Sequence, residues 1–172
     1  MSTPIMNIDD PVPAPLVLHR EAVQRDWIDY NQHMNMAFYL LAFDHATDEL
    51  LAHIDLGYDH MKRGGGSTFT LEAHVAYSRE VKLGDPLRIA SHVLDFDEKR
   101  IHYAHEMFHD TEGYLAATNE LVTLHVSLET RRAAPMPDAT LARLTRLKAA
   151  HATLPRPAGL SREMGLRHRK KA

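Results

Sequence analysis

Trp27-Ile28-Asp29-Tyr30-Asn31-Gln32-His33-Met34-Asn35 is the stretch on which the fold turns, because it runs directly into Met36 to Ile54, the most apolar segment of the chain and one without Gly or Pro. An uninterrupted apolar run of this length predicts a helix, and Asn35 stands where an N-cap is expected. The loop before it gathers a carboxylate (Asp29), the amides of Asn31 and Asn35, an imidazole (His33) and the rings of Trp27 and Tyr30. A helix start offers unpaired backbone N–H groups and the positive end of the helix dipole, both suited to a developing negative charge. The loop is therefore the expected active site, with Asn35 and Met36 placing the amides that would receive an oxyanion.

Outward from the loop, the helix is expected to begin deep in the fold. Met36 to Phe43 is apolar on every side of a helical projection, which predicts burial all round. Farther along, Ala46, Leu50 and Ile54 continue one stripe while Asp44 and Asp48 share the opposite face. Before the loop, residues 1–15 form a Pro-rich leader expected to be irregular, and Leu16 to Trp27 reads as extended. Gly64-Gly65-Gly66 closes the helical unit. Thr68 to Ser78, Leu87 to Phe96, Arg100 to His109 and Tyr114 to Leu128 then alternate apolar and polar residues or run β-branched, with turn signals between them. Short connections predict an antiparallel meander. The expected fold is α+β: a long central helix wrapped by a curved antiparallel sheet of about five strands, occupying 16–137. One helix face would remain to be covered, so a homodimer or homotetramer is expected. Residues 138–172 read as a short helix, capped by Asp138 and carrying Leu141, Leu144 and Leu147, followed by a basic tail. Nine Lys or Arg face only Glu163 from Arg143 onward, the pattern of a solvated terminus; the alternative is contact with substrate phosphates.

Composition narrows the function classes. At 172 residues with 44% hydrophobic content, the chain can bury one sizeable core. The absence of cysteine excludes disulfides, thiolate metal sites and a thiol nucleophile, and fits a reducing cytoplasm. A net charge of −3 argues against a nucleic-acid binder. Asp44, His45, Asp48 and Glu49 interrupt the best candidate for a membrane span, and the leader lacks the basic-then-apolar pattern of a signal peptide.

His105-Glu106-Met107-Phe108-His109 matches H-E-x-x-H, which in zinc hydrolases sets two imidazoles on one helical turn with the Glu as base. Here the alternation of Ile101, Tyr103, His105, Met107 and His109 places the segment on a strand. Residues four apart on a strand stand roughly 13 Å from each other, too far to share an ion bound at about 2.1 Å. A zinc hydrolase is thus the weaker reading, and no metal or cofactor is expected.

Asp29-Tyr30-Asn31-Gln32-His33-Met34-Asn35 before a long apolar helix resembles the hotdog-fold thioesterases, both the 4-hydroxybenzoyl-CoA thioesterase-like group and the plant acyl-carrier-protein thioesterases. The resemblance spans roughly Leu16 to Arg131. It implies hydrolysis of an acyl-CoA thioester to free acid and CoA, with Asp29 as general base or nucleophile and Asn31 and His33 completing the working set. Val75 to Val81 is similar to a second motif of those enzymes, with Glu80 at their glutamate and Val81 where they carry cysteine. Many similar sequences have Gly at the position of Gln32. Trp27, Tyr30, Phe38, Tyr39 and Tyr103 near the expected site suit either an aromatic acyl group or a quaternary ammonium; Leu115 to Glu120 with His125-Val126 is similar to thioesterases of carnitine breakdown that act on betainyl-CoA, which implies that Glu120 faces the cation. Dehydratases and noncatalytic acyl-binding modules share the fold and remain alternatives.

Overall fold

Asn35 does begin the long helix of the computed structural model, which describes residues 3–166. Its side chain accepts the Ala37 N–H at 3.0 Å while its own backbone stays extended, so helix α1 runs Met36–His53. Five longer strands follow the alternation read from the sequence: β1 Leu16–Ala22, β2 Ser67–Tyr77, β3 Pro86–Phe96, β4 Arg100–His109 and β5 Leu115–Ser127. A short helix α2 (Tyr58–Lys62), a two-residue strand β6 (Arg132–Ala133) and helix α3 (Asp138–His151) complete the chain. No helix among the described residues is long and apolar enough to cross a membrane.

The strand order is β1-β3-β4-β5-β2, all neighbours antiparallel, with β6 on β5. The expected meander therefore holds only for β3, β4 and β5. β2 pairs with β5, so the link from β2 to β3 crosses the sheet instead of turning back as a hairpin. It passes the start of α1, where Val81 accepts the Met34 N–H at 2.9 Å. This crossover brings the second sequence motif to the first.

Two apolar clusters anchor α1. Ala42, Phe43 and Ala46 pack with Val81, Leu87, Ile89 and Met107 near its start; Leu50, Leu51 and Ile54 pack with Tyr103, Leu121, Leu144 and Leu147 near its end. Each such side chain contributes about 1.5 to 3 kcal/mol when fully buried. Burial is not all round, however. Met36 is 65% exposed, with Leu40 and Leu41 also open, because the sheet curls round only part of the helix. The same open side continues onto the outer edge of β2, where Phe69, Leu71 and Tyr77 are exposed.

α3 packs against β3, burying Leu144 and Leu147 as its spacing predicts. Asp138 is its first residue and makes no cap; Pro137 takes the cap position. Part of the basic run is already engaged, since Arg143 donates to the Met6 carbonyl at 2.9 Å and Lys148 meets Asp95 at 2.6 Å. Arg167, Arg169, Lys170 and Lys171 lie outside the described residues.

Two buried histidines are held neutral. His151 Nδ1 accepts the Val93 N–H at 2.9 Å, and burial, with His92 nearby, pushes its pKa down to about 4. His105 lies between Thr47 and Ser91 at 3.0 and 2.9 Å, and complete burial pushes it down to about 3. Thr47 donates its own proton to the Phe43 carbonyl at 3.0 Å; its oxygen then accepts from His105 Nε2, and Ser91 donates to Nδ1. The unfolded chain binds protons that these rings refuse, so their contribution is complete above about pH 6.5 and shrinks as pH falls toward the folded values. Denaturant unfolding at pH 5 against pH 7 is expected to show a loss of about 1 to 2 kcal/mol per ring, with a shallower dependence in His151→Gln.

Candidate active site

The loop ahead of α1 is a closed polar turn. Asp29 Oδ1 accepts the Asn31 N–H at 2.8 Å, the Asp29 carbonyl accepts from Gln32 at 3.1 Å, and the Asp29 N–H donates to the His33 carbonyl at 3.1 Å. This closure puts Gln32 in the left-handed region, at φ 68°, which costs a residue with a side chain about 1 to 2 kcal/mol. Gly would adopt this conformation without that cost. On one flank Asn35 donates to the Trp27 carbonyl at 2.9 Å; on the other Met34 is tied to Val81.

A cavity of about 440 Å³ opens over this turn. Asp29, His33, Asn35, Met36, Tyr39 and Glu80 line it, so most of the expected site converges. The Asn35 cap occupies the amide of Ala37, and Phe38 donates to the Asn35 carbonyl; the Met36 amide is the one at the helix start that the cap leaves alone. The Asp29 side chain is 14% exposed, and its Oδ1 lies 4.0 Å from His33 Nδ1, an approach rather than a hydrogen bond. Tyr39 is buried with its hydroxyl accepting the Val81 N–H at 3.3 Å, and burial raises its pKa against that bond. Tyr77, on β2, stands edge-on to Tyr39 with ring centroids 5.2 Å apart and donates to the Met36 carbonyl at 3.2 Å. Such a site holds the Asp29 and Glu80 carboxylates, one available helix-start amide and an aromatic corner, which suits addition to a polarised carbonyl.

The sequence profile of the thioesterase-like superfamily matches residues 23–144. The chain belongs to that superfamily. It is 41% identical to the betainyl-CoA thioesterase of Pseudomonas aeruginosa over 88% of this chain and 95% of that one. A solved structure from Pseudomonas putida KT2440, described as a candidate thioesterase, is 39% identical, covers 92% of this chain and all of its own, and superposes with a TM-score of 0.76. A hypothetical protein of Staphylococcus aureus solved in complex with CoA shares the fold at a TM-score of 0.80 and 24% identity, over 92% of this chain and all of its own. The curled antiparallel sheet around a helix is the hotdog fold of this superfamily.

Several expected residues of the thioesterase-like chain lie apart from the cavity. Asn31 does not line it and serves the turn through its backbone. Tyr30 is 90% exposed. Trp27 is buried and stacks on Phe38 at 5.8 Å, a packing role. Glu120 is wholly buried elsewhere: His102 meets it at 2.7 Å, and it accepts the Ser161 N–H at 2.6 Å. Strand alternation puts His102 and Glu120 on the sheet face opposite Tyr103 and α1, so Glu120 anchors the C-terminal segment instead of facing an acyl group. Glu80 lines the cavity but is half exposed, 3.4 Å from Lys82.

The H-E-x-x-H segment lies on β4 as expected. His105 faces α1, Glu106 pairs with His92 at 3.0 Å, and His109 lies near Asp85 at 3.6 Å, so the three share no centre. Tyr77, Ser78 and Arg79, which belong to the second motif, also line the cavity; they carried no site role of their own in the sequence because only the crossover brings them there. A second cavity of about 830 Å³ runs along the other half of α1, past Asp44, Asp48, Glu49, His19 and His45. Burial and the neighbouring Asp44 raise the Asp48 pKa. Beside it His19, Glu21 and His45 form a cluster with metal-ligand spacing that the sequence reading passed over among the thirteen scattered histidines. The available signal was that His19 and Glu21, two apart on a strand, share a face.

Proposed function

We propose that the chain hydrolyses an acyl-CoA thioester, with betainyl-CoA as the preferred substrate. The observation that carries this reading is the convergence on one cavity of the Asp29 carboxylate, the Met36 amide and the Tyr39–Tyr77 corner, in a chain 41% identical to a betainyl-CoA thioesterase. Oδ1 of Asp29 is committed to Asn31, and the other carboxylate oxygen is the one to act. It either takes a proton from water attacking the thioester carbonyl or attacks that carbonyl itself. Charge then develops on the carbonyl oxygen, where the Met36 amide and the helix dipole receive it. The carbon–sulfur bond breaks, CoA leaves as thiolate and takes up a proton, and water supplies the oxygen of the free acid. His33 orients the water or the carboxylate.

The betainyl cation lies one methylene from the reacting carbonyl, so whatever recognises it must be within a few ångströms of Asp29. Tyr39 and Tyr77 meet that condition by lining the same cavity. Their ring faces attract a trimethylammonium group by about 0.5 to 2 kcal/mol. Arg79, stacked 4.0 Å over Tyr114, supplies positive charge at the mouth for the phosphates of CoA. A second copy of the chain covers the exposed apolar side formed by Met36, Leu40, Leu41, Phe69 and Leu71, because β2 ends the sheet with an unpaired edge that favours strand addition.

Asp29→Asn is expected to lower turnover at least about a hundredfold with an unchanged circular dichroism melt; full activity in a thiol-release assay would remove Asp29 from the chemistry. Betainyl-CoA is expected to exceed its neutral isostere, tert-butylacetyl-CoA, by about tenfold in kcat/KM, with the preference lost in Tyr39→Leu. Equal rates on the two would sink the betainyl reading while leaving hydrolysis intact. Light scattering is expected to report an even number of subunits, and Leu40→Glu to shift it toward monomer.

A further inference from the structure

Thioester chemistry at the loop leaves one set of ligating side chains without a role. His45 Nδ1 lies 3.2 Å from both oxygens of Glu21, and His19 Nε2 lies 3.1 Å from Glu21 Oε1. The three ligand atoms all fall within 4.8 Å of one another. The approach of His19 is close but off-line, so its buried Nε2 makes no aligned hydrogen bond. His19 and Glu21 come from β1, which leaves one strand face pointing at α1, and His45 comes from α1 itself.

We propose that His19, Glu21 and His45 bind a divalent transition metal ion of the zinc type, at a site separate from the thioester-cleaving loop. Two ligands on one ion, at bonds of about 2.0 to 2.2 Å, stand about 3.0 to 3.4 Å apart in octahedral or tetrahedral geometry. Both histidine-to-Glu21 separations already meet that spacing. Two imidazoles and one carboxylate form a donor set for borderline divalent ions such as Zn²⁺, and it leaves positions open for water. A further carboxylate stands where a ligating imidazole usually finds one. Glu49 Oε1 is 3.8 Å from His19 Nδ1, and a small closure would let it accept a hydrogen bond from Nδ1–H, leaving the Nε2 lone pair for the ion.

Access comes from the larger cavity, which His19, His45 and Glu49 all line. His45 is ten positions past Asn35, about 15 Å along the helix, so an ion there would not touch the acyl carbonyl. Its effect would be mechanical: it would join the outer strand β1 to the middle of α1, whereas the buried Leu16 of β1 packs only near the end of that helix. The competing arrangement is the two imidazoles hydrogen-bonded to Glu21, with no ion bound.

The chain, stripped with a chelator, can be titrated with Zn²⁺ by calorimetry and with Co²⁺ by its visible spectrum. One equivalent per chain is expected, with a higher melting temperature in the loaded form. His45→Ala and Glu21→Gln are each expected to weaken binding by more than about tenfold, and Glu49→Gln by about tenfold; Asp29→Asn is expected to bind as the parent does. His45 has a 41% exposed side chain, so its removal tests ligation with little risk to folding, checked by the metal-free melt. No saturable heat at micromolar Zn²⁺, or binding that survives His45→Ala, overturns the proposal; the first outcome leaves the ion-pair arrangement, and the second places the ion on other histidines.

Discussion

The first amides of a helix have no partners within it, and α1 begins on an open side of the fold, with Met36 exposed. In this chain the problem is met at Asn35, which caps α1 from an extended backbone while its own N–H is held by Trp27. The rest of the site depends on that placement. Met34 bonds to Val81 because the loop enters the helix at this angle, and that bond, with those joining Tyr39 to Val81 and Tyr77 to Met36, holds the β2–β3 crossover beside Asp29. Sequence order hides the relation, since the two motifs are some fifty residues apart, but the Met34–Val81 backbone hydrogen bond and the two tyrosine hydroxyl contacts make them one wall of a cavity.

The strands and α1 were legible because each is a local pattern. Alternation over β2 to β5 marked the strands, and the Gly- and Pro-free run marked α1 to within a residue at each end. Topology was not legible. Gly84-Asp85-Pro86 reads the same whether the chain is turning back in a hairpin or finishing a crossover, and only the pairing of β2 with β5 decides between them. The aromatic residues show the same limit. Tyr30 and Tyr39 look equivalent as residues near a loop, yet one lies on the turn's outer side and the other one helical turn inside. Glu120 was drawn toward the site by its neighbours in sequence, although a one-residue change of parity on a strand exchanges the helix side for the opposite face.

The open side of α1 changes character along its length. It begins with Met36, Leu40 and Leu41 and ends with Asp44 and Asp48, so the helix offers an apolar surface near the loop and an acidic one away from it. The hydrophobic effect has no direction and fixes no partner's orientation. The acidic half supplies what is missing, because two like-charged stretches would resist lying against each other.

His105 carries a consequence of its own. Apolar contacts beneath α1 would tolerate a small slide of the helix along its axis, since one methyl group serves nearly as well as the next. The chain of bonds from Ser91 through His105 to Thr47 and on to the Phe43 carbonyl does not tolerate it, because each link requires a particular atom at a particular height. It works as a detent between helix and sheet, set three turns along from the residue it ultimately serves: whatever position His105 allows Thr47 is the position from which the first amide of the helix is aimed.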